Sequence, residues 1–230
     1  MKLKLALACA TAAVVVGAAQ GAYAGTVIWT NWTSATNGAT AGTATGTAGA
    51  VGVSYVGEVE SLVANYPSWN PASSYVGGTV GNAPPQTGGI IQLFGATGAT
   101  DTITFSKAVT NPILAIWSLG QTNDQPSFNF PANEPVTIEA GGPSAEYNGA
   151  PITQTGNDIL GIEGNGTVQL TGTFNSISWT NPVAENWYGF TVGVAAVPEP
   201  ASWAMMLLGV GLVGGGLRLA RRKSVALAAA

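Results

Sequence analysis

Between residues 25 and 197 no stretch keeps apolar residues at i, i+3 and i+4 through three turns, so the body has no amphipathic helix pattern. Apolar residues recur instead in short runs bounded by Gly, Pro, Asn and Thr, the punctuation of strands and turns. Thr102-Ile103-Thr104-Phe105, Val136-Thr137-Ile138, Thr167-Val168-Gln169-Leu170 and Ser176-Ile177-Ser178-Trp179-Thr180 alternate, which places one face on a core and one in water. Ile113-Leu114-Ala115-Ile116-Trp117 is continuous and reads as a central strand, and a last strand sets Tyr188, Phe190, Val192 and Val194 on one face. The expectation is an all-β body of about ten to twelve strands, an antiparallel β-sandwich of jelly-roll or related topology.

This body has the length of a single domain. Its only base is Lys107, set against ten acids (Glu58, Glu60, Asp101, Asp124, Glu134, Glu139, Glu146, Asp158, Glu163 and Glu185), a net charge of −9. Binding nucleic acid needs clustered Lys and Arg to neutralise phosphates, so a nucleic-acid partner is excluded. Cys9 is the chain's one cysteine and lies before residue 25, and there is no histidine. Within one chain this excludes a disulfide in the body, a Cys/His zinc site and a Ser-His-Asp triad, and no cofactor is implied.

Three groups of residues could carry chemistry. Asp158, Glu163 and Asn165 stand among glycines in the stretch 156–166, the material of a loose calcium site, although the spacing fits no EF-hand and turn chemistry explains it as well. Trp187 shares a face of the last strand with Gly189, Thr191 and Gly193, an outward ring on which a sugar could stack, with Trp69 and Tyr66 as candidate second contacts. Paired carboxylates drawn from the ten acids could hydrolyse a glycosidic bond, but the spacing selects no pair, and the chain reads as non-enzymatic. Residues 33–49, built from Thr, Ala, Gly, Ser and Asn, are expected to be a low-complexity surface loop. The close pairs Thr43-Thr45 and Thr45-Thr47 are interrupted by small residues and make no repeated ladder.

Both termini carry addresses. Lys2 and Lys4 precede an apolar run from Leu5 to Ala19, and Ala22-Tyr23-Ala24 supplies the small-x-small pattern of a secretory signal peptide, so residues 1–24 should be removed and the mature chain should start at Gly25. At the other end Pro198-Glu199-Pro200 is followed by Trp203, an uncharged run over 201–217 and a basic cluster over 218–223 containing Arg218, Arg221 and Arg222, with 224–230 as a tail. The run is a short candidate transmembrane helix of roughly 25 Å, with the basic cluster on the cytoplasmic side. An ordinary membrane anchor would share these last two features, but its five glycines (209, 211, 214, 215 and 216) weaken a permanent span.

The order of Pro-Glu-Pro, apolar span and Arg cluster closely resembles the PEP-CTERM sorting signal. The body strings TITFSKAVTNPILAIWSLG and GTFNSISWTNPVAENWYGFTVGVA also look like segments of PEP-CTERM surface proteins. The resemblance implies export by the Sec machinery and a transient inner-membrane intermediate processed by an exosortase. Delivery would then be to the surface or extracellular matrix of a Gram-negative bacterium, with exopolysaccharide as a partner in a biofilm. Proteins with this kind of signal are sometimes given an ice-binding label, which leaves an ice-binding or adhesion role as an alternative.

Overall fold

The computed structural model describes residues 24–65, 68–196, 206–212 and 214. Fifteen strands form among them. They are β1 (Val27–Trp29), β2 (Asn31–Thr36), β3 (Gly38–Ala48), β4 (Val51–Val59), β5 (Ser61–Val63), β6 (Ile90–Leu93), β7 (Asp101–Thr110) and β8 (Ile113–Leu119). Then come β9 (Ser127–Asn129), β10 (Val136–Pro143), β11 (Ala150–Thr155), β12 (Asp158–Ile162), β13 (Gly164–Leu170), β14 (Thr173–Trp179) and β15 (Tyr188–Ala195).

The strands make three sheets, and every pairing between named strands is antiparallel. The largest runs β10-β13-β8-β15-β6-β5, with β1 also paired to β15. The second runs β14-β7-β4-β3-β2 and the third β11-β12-β9. A two-way backbone bridge between Asn129 and Thr180 ties β9 to the end of β14. Strand β15 is the hub of the large sheet. Its residues 189–193 pair with β8 on one side, while on the other side 188–190 pair with β6 and 193–195 with β1.

The main core lies between the large and five-stranded sheets and is built from the inward residues of the alternating runs. Trp179 sits at its centre, 4.9 Å edge-to-face from Phe190, 5.6 Å from Phe128 and 6.1 Å stacked on Tyr55. Burying a large apolar side chain of this kind contributes roughly 1.5–3 kcal/mol each. A second core covers the other face of the large sheet. There Trp69, Tyr75 and Val80, from the connection between β5 and β6, join Val27 and Trp29 over Ile90, Ile113, Ala115 and Trp117. This is why β8 is apolar at consecutive positions, because a strand buried on both faces has no polar side to present.

Two expectations are corrected by this arrangement. The stretch 33–49 is not a loop, since it contributes most of β2 and all of β3. In β3 the small residues Gly42, Ala44, Gly46 and Ala48 are buried, Thr43, Thr45 and Thr47 are exposed, and the backbone pairs on both sides. A Cβ at Gly46 would start 2.5 Å from the Asn31 carbonyl, so the small side chain is a packing requirement. The threonines also enter ladders that the sequence pattern conceals. Ser34, Thr45, Ser54, Thr104 and Ser176 are register partners in turn across all five strands of their sheet, with Thr36, Thr43, Val56, Thr102 and Ser178 in the next row.

The body closes on itself at its ends. Gly25 donates to the Thr79 carbonyl at 2.9 Å, and Ala196 donates to that of Thr26, also at 2.9 Å. A cut after Ala24 therefore leaves the first backbone pairing of the body in place. Residues 206–212 and 214 are helical and expose Met206, Leu207, Leu208, Val210 and Leu212. Among the described residues no helix is long and apolar enough to cross a membrane. Ala22, Tyr66, Pro198, Glu199, Pro200, Trp203, Arg218, Arg221 and Arg222 lie outside the described residues.

Candidate functional site

One end of the large sheet gathers aromatic rings, carboxylates and unusual backbone. Strand β8 brings Trp117 to the second core, and the chain then takes positive φ at Ser118 (52°) and Gly120 (86°). Glu163, in the turn between β12 and β13, has a φ of 52°. Left-handed backbone at a residue other than glycine costs about 1–3 kcal/mol and persists only where its surroundings hold it. Here they do so through hydrogen bonds. The Glu163 amide donates to the Gly120 carbonyl at 2.6 Å, the Ser118 hydroxyl to Glu163 Oε2 at 2.8 Å, and the Ser118 amide to Asn165 Oδ1 at 2.8 Å.

Glu185 enters from the segment before β15, where its Oε2 accepts the Gly120 amide at 2.8 Å. Burial lifts its carboxyl to about 8 and the nearby Glu163 charge adds to the rise, against the lowering effect of the Gly120 hydrogen bond. At neutral pH this acid is therefore largely protonated and can donate a hydrogen bond.

Beside the carboxylates stands an aromatic shelf. The Trp117 ring lies 5.4 Å from that of Trp187 at 80°, and 6.3 Å from that of Tyr147 at 56°. Trp117 is buried, Trp187 is half-buried, and Tyr147 is 43% exposed. Tyr147 is presented by a tight turn in which the Ser144 hydroxyl accepts from the amides of Glu146 and Tyr147.

The residues expected from sequence fare unevenly. Trp187 belongs to this shelf, but the face it was assigned to is a covered one. Thr191 is 1% exposed, and a Cβ at Gly193 would fall 2.8 Å from the Trp29 ring. Trp69 is not an outward ring, being 3% exposed and packed 5.2 Å from Tyr75 in the second core. Asp158, Glu163 and Asn165 do not converge on a calcium ion. Asp158 opens β12 and Glu163 lies beyond its far end, five residues or about 16 Å away along extended chain. Asn165 is committed to the Ser118 amide. Among the described residues no three His, Cys, Asp or Glu side chains group around a metal position. Trp117 and Tyr147 were not singled out from sequence. Trp117 sits in a run that signals only burial, and Tyr147 reaches it through a turn with no periodic signal.

Two clefts are lined by no carboxylate. The larger, about 410 Å³, lies between Ile28, Ala48, Val51, Lys107, Val109 and Val194, at the Ala195 end of β15.

The shelf and its carboxylates name no activity on their own, and the deciding observation comes from the chain beyond Ala195. Residues 196–223 match the PEP-CTERM protein-sorting motif. The chain carries a PEP-CTERM sorting signal. It is thus an exported protein handled by an exosortase, and the fifteen-stranded body is what the PEP-CTERM signal delivers. The motif meets the body directly, since Ala196 is both its first residue and the last described residue of the β fold. No curated protein and no solved structure matches the chain.

Proposed function

We propose that this is a non-enzymatic protein of the cell surface or extracellular matrix of a Gram-negative bacterium, which holds exopolysaccharide on the shelf of Tyr147, Trp187 and Trp117. The observation that carries the reading is a 43% exposed tyrosine backed by two tryptophans on a body addressed for export. Sugar rings bury their apolar faces against such rings, while the protonated Glu185 offers a donor and neighbouring carboxyl oxygens offer acceptors to hydroxyl groups. The charge of −9 disfavours an anionic polymer, so the partner is a neutral glycan. The order β6-β15-β8-β13 in one sheet, with β7-β14 bridged to β9-β12 opposite, supports a jelly-roll body, a fold of lectin domains.

The test is a pull-down of the exported protein on the producing strain's own neutral exopolysaccharide. Retention should fall at least about tenfold in Tyr147→Ala and Trp187→Ala if the rings stack on sugar. Unchanged retention in both would remove the site. Release of reducing sugar by the wild type, lost in Glu185→Gln, would instead favour the paired-carboxylate enzyme.

A second reading rests on the hydroxyl ladders of the five-stranded sheet. The row Ser34, Thr45, Ser54, Thr104 and Ser176 is wholly exposed and carries no charge, with neighbouring strands about 4.8 Å apart and like-facing residues about 6.8 Å apart along a strand. A row of exposed hydroxyls at the spacing of neighbouring strands suits ordered water, which favours ice binding. Thermal hysteresis that disappears in Thr45→Lys would support it, and its absence in the wild type would remove it.

A further inference from the structure

Two carboxylates are buried inside the sandwich, away from the aromatic shelf. Asp101 opens β7 and Glu58 lies near the end of β4, and both are 0% exposed. Asp101 Oδ1 accepts the Glu58 amide at 2.7 Å and the Tyr55 hydroxyl at 2.5 Å, and Tyr55 shares its proton with the Glu58 carbonyl at 2.8 Å. Glu58 Oε2 accepts the Gly95 amide at 2.7 Å, and Glu58 Oε1 accepts the Thr97 hydroxyl. Asp101 Oδ1 occupies the space of a side chain at Gly57, and a Cβ at Gly95 would run into the Val183 carbonyl and lie 2.8 Å from the Tyr188 hydroxyl.

Two buried oxygens at this place have no partner. They are Asp101 Oδ2 and the hydroxyl of Tyr188, a residue itself 0% exposed. The Tyr188 hydroxyl lies against Gly95, whose amide donates to Glu58 Oε2, and burial above all, then the charges of Glu58 and Asp101, raise it. No cation of the body can answer them. Lys107 is the only base between residues 25 and 197, and it lies six residues along β7 from Asp101, about 20 Å away. An unpaired ionised carboxylate in an apolar interior is among the costliest groups to bury.

We infer that the Glu58 and Asp101 carboxylates form a binding site for one calcium ion, with Asp101 Oδ2, the Glu58 oxygens, Thr97 Oγ1 and the Tyr188 hydroxyl as the oxygens that face it. Hard oxygen donors of this kind, without nitrogen or sulfur, select a hard divalent cation, and calcium tolerates an irregular set where magnesium does not. An exported protein meets calcium outside the cell, where modules of this type bind with dissociation constants of roughly 10⁻⁴–10⁻³ M.

The experiment uses the exported protein stripped with chelator, with terbium as a luminescent stand-in for calcium. Tyr55, Tyr188 and Trp179 lie at or against the site, so bound terbium should show sensitised emission that calcium displaces, with one ion per chain. Asp101→Asn should weaken both ions at least about tenfold, since affinity follows ligand charge, while Glu163→Gln and Glu185→Gln should leave them unchanged. The melting temperature of the wild type should rise with calcium. The inference is overturned if the wild type shows neither sensitised emission nor a calcium-dependent melting shift at millimolar ion, a result obtainable even where Asp101→Asn fails to fold. It is also overturned if emission persists in Asp101→Asn but is lost in Glu163→Gln. A wild type that ignores calcium, and whose gain in stability as pH falls through about 7 persists in Glu185→Gln, would hold a proton on the buried Asp101 carboxyl in place of the ion.

Discussion

Glu185→Gln should remove a large part of the pH dependence of stability. The Glu185 carboxyl titrates at about 8 in the folded chain against an ordinary 4.5, chiefly because it is buried. Below pH 4.5 folded and unfolded chains both hold the proton and the stabilisation is complete. Above it only the folded chain keeps the proton, so stability is lost at about 1.4 kcal/mol per pH unit until pH reaches about 8. The full gap of about 3.5 would amount to about 5 kcal/mol, and partial solvent access to a half-buried group reduces this to about 2 kcal/mol. Glutamine keeps an acceptor for the Gly120 amide and never ionises. Thermal unfolding of the exported protein from about pH 4 to about pH 9, in chelator and at fixed ionic strength, should show the wild type losing about 4–8 °C more than Glu185→Gln. Asp101 contributes in the same sense in both chains and cancels in the difference. Parallel curves for the two proteins would refute the assignment of a neutral, buried Glu185.

Trp179→Ala should cost about 3–5 kcal/mol in urea unfolding, because the ring joins Phe190, Phe128 and Tyr55 at the centre of the core and nothing nearby can fill its place. Gly46→Val should lower the melting temperature sharply, since a side chain there starts 2.5 Å from the Asn31 carbonyl, whereas Thr45→Val, one residue away on the exposed face, should change stability by less than about 0.5 kcal/mol. In a strain lacking the exosortase, mass spectrometry of terminal peptides should find Arg218, Arg221 and Arg222 still attached to the membrane-fraction protein. Their loss in that strain would disconnect the motif at 196–223 from processing.

The runs Thr102 to Phe105 in β7 and Ser176 to Trp179 in β14 were legible because each has its large apolar residues inward and a wetter face outward. Thr167 to Leu170 in β13 alternates too, but its polar face is not in water, since Thr167 is buried and donates to the Tyr75 carbonyl while Gln169 donates to the Thr79 hydroxyl. Strand β3 was hidden by composition. Its inward residues are Gly and Ala, too small to register as apolar, so a true period of two looks like low complexity. The second core was hidden for a related reason. Gly189, Thr191 and Gly193 resemble an outward polar face, yet they are small because Val27, Trp29 and Ile90 pack down on them. The segment that completes this cover, around Trp69 and Tyr75, has no repeating pattern, so its burial follows only from the tertiary structure. The sorting motif at 196–223 was readable because it is a linear string. The aromatic shelf depends on three distant segments meeting, and only Trp187 among them announced itself.

The bonds joining Gly25 to Thr79 and Ala196 to Thr26 bring the two ends of the body to one pole. Strand β15 runs from the shelf to that pole, and its path from Tyr188 to Ala195 covers about 23 Å. The first and last described residues of the body therefore meet at one pole, where the sorting motif at 196–223 begins, and the aromatic shelf stands at the opposite end of β15.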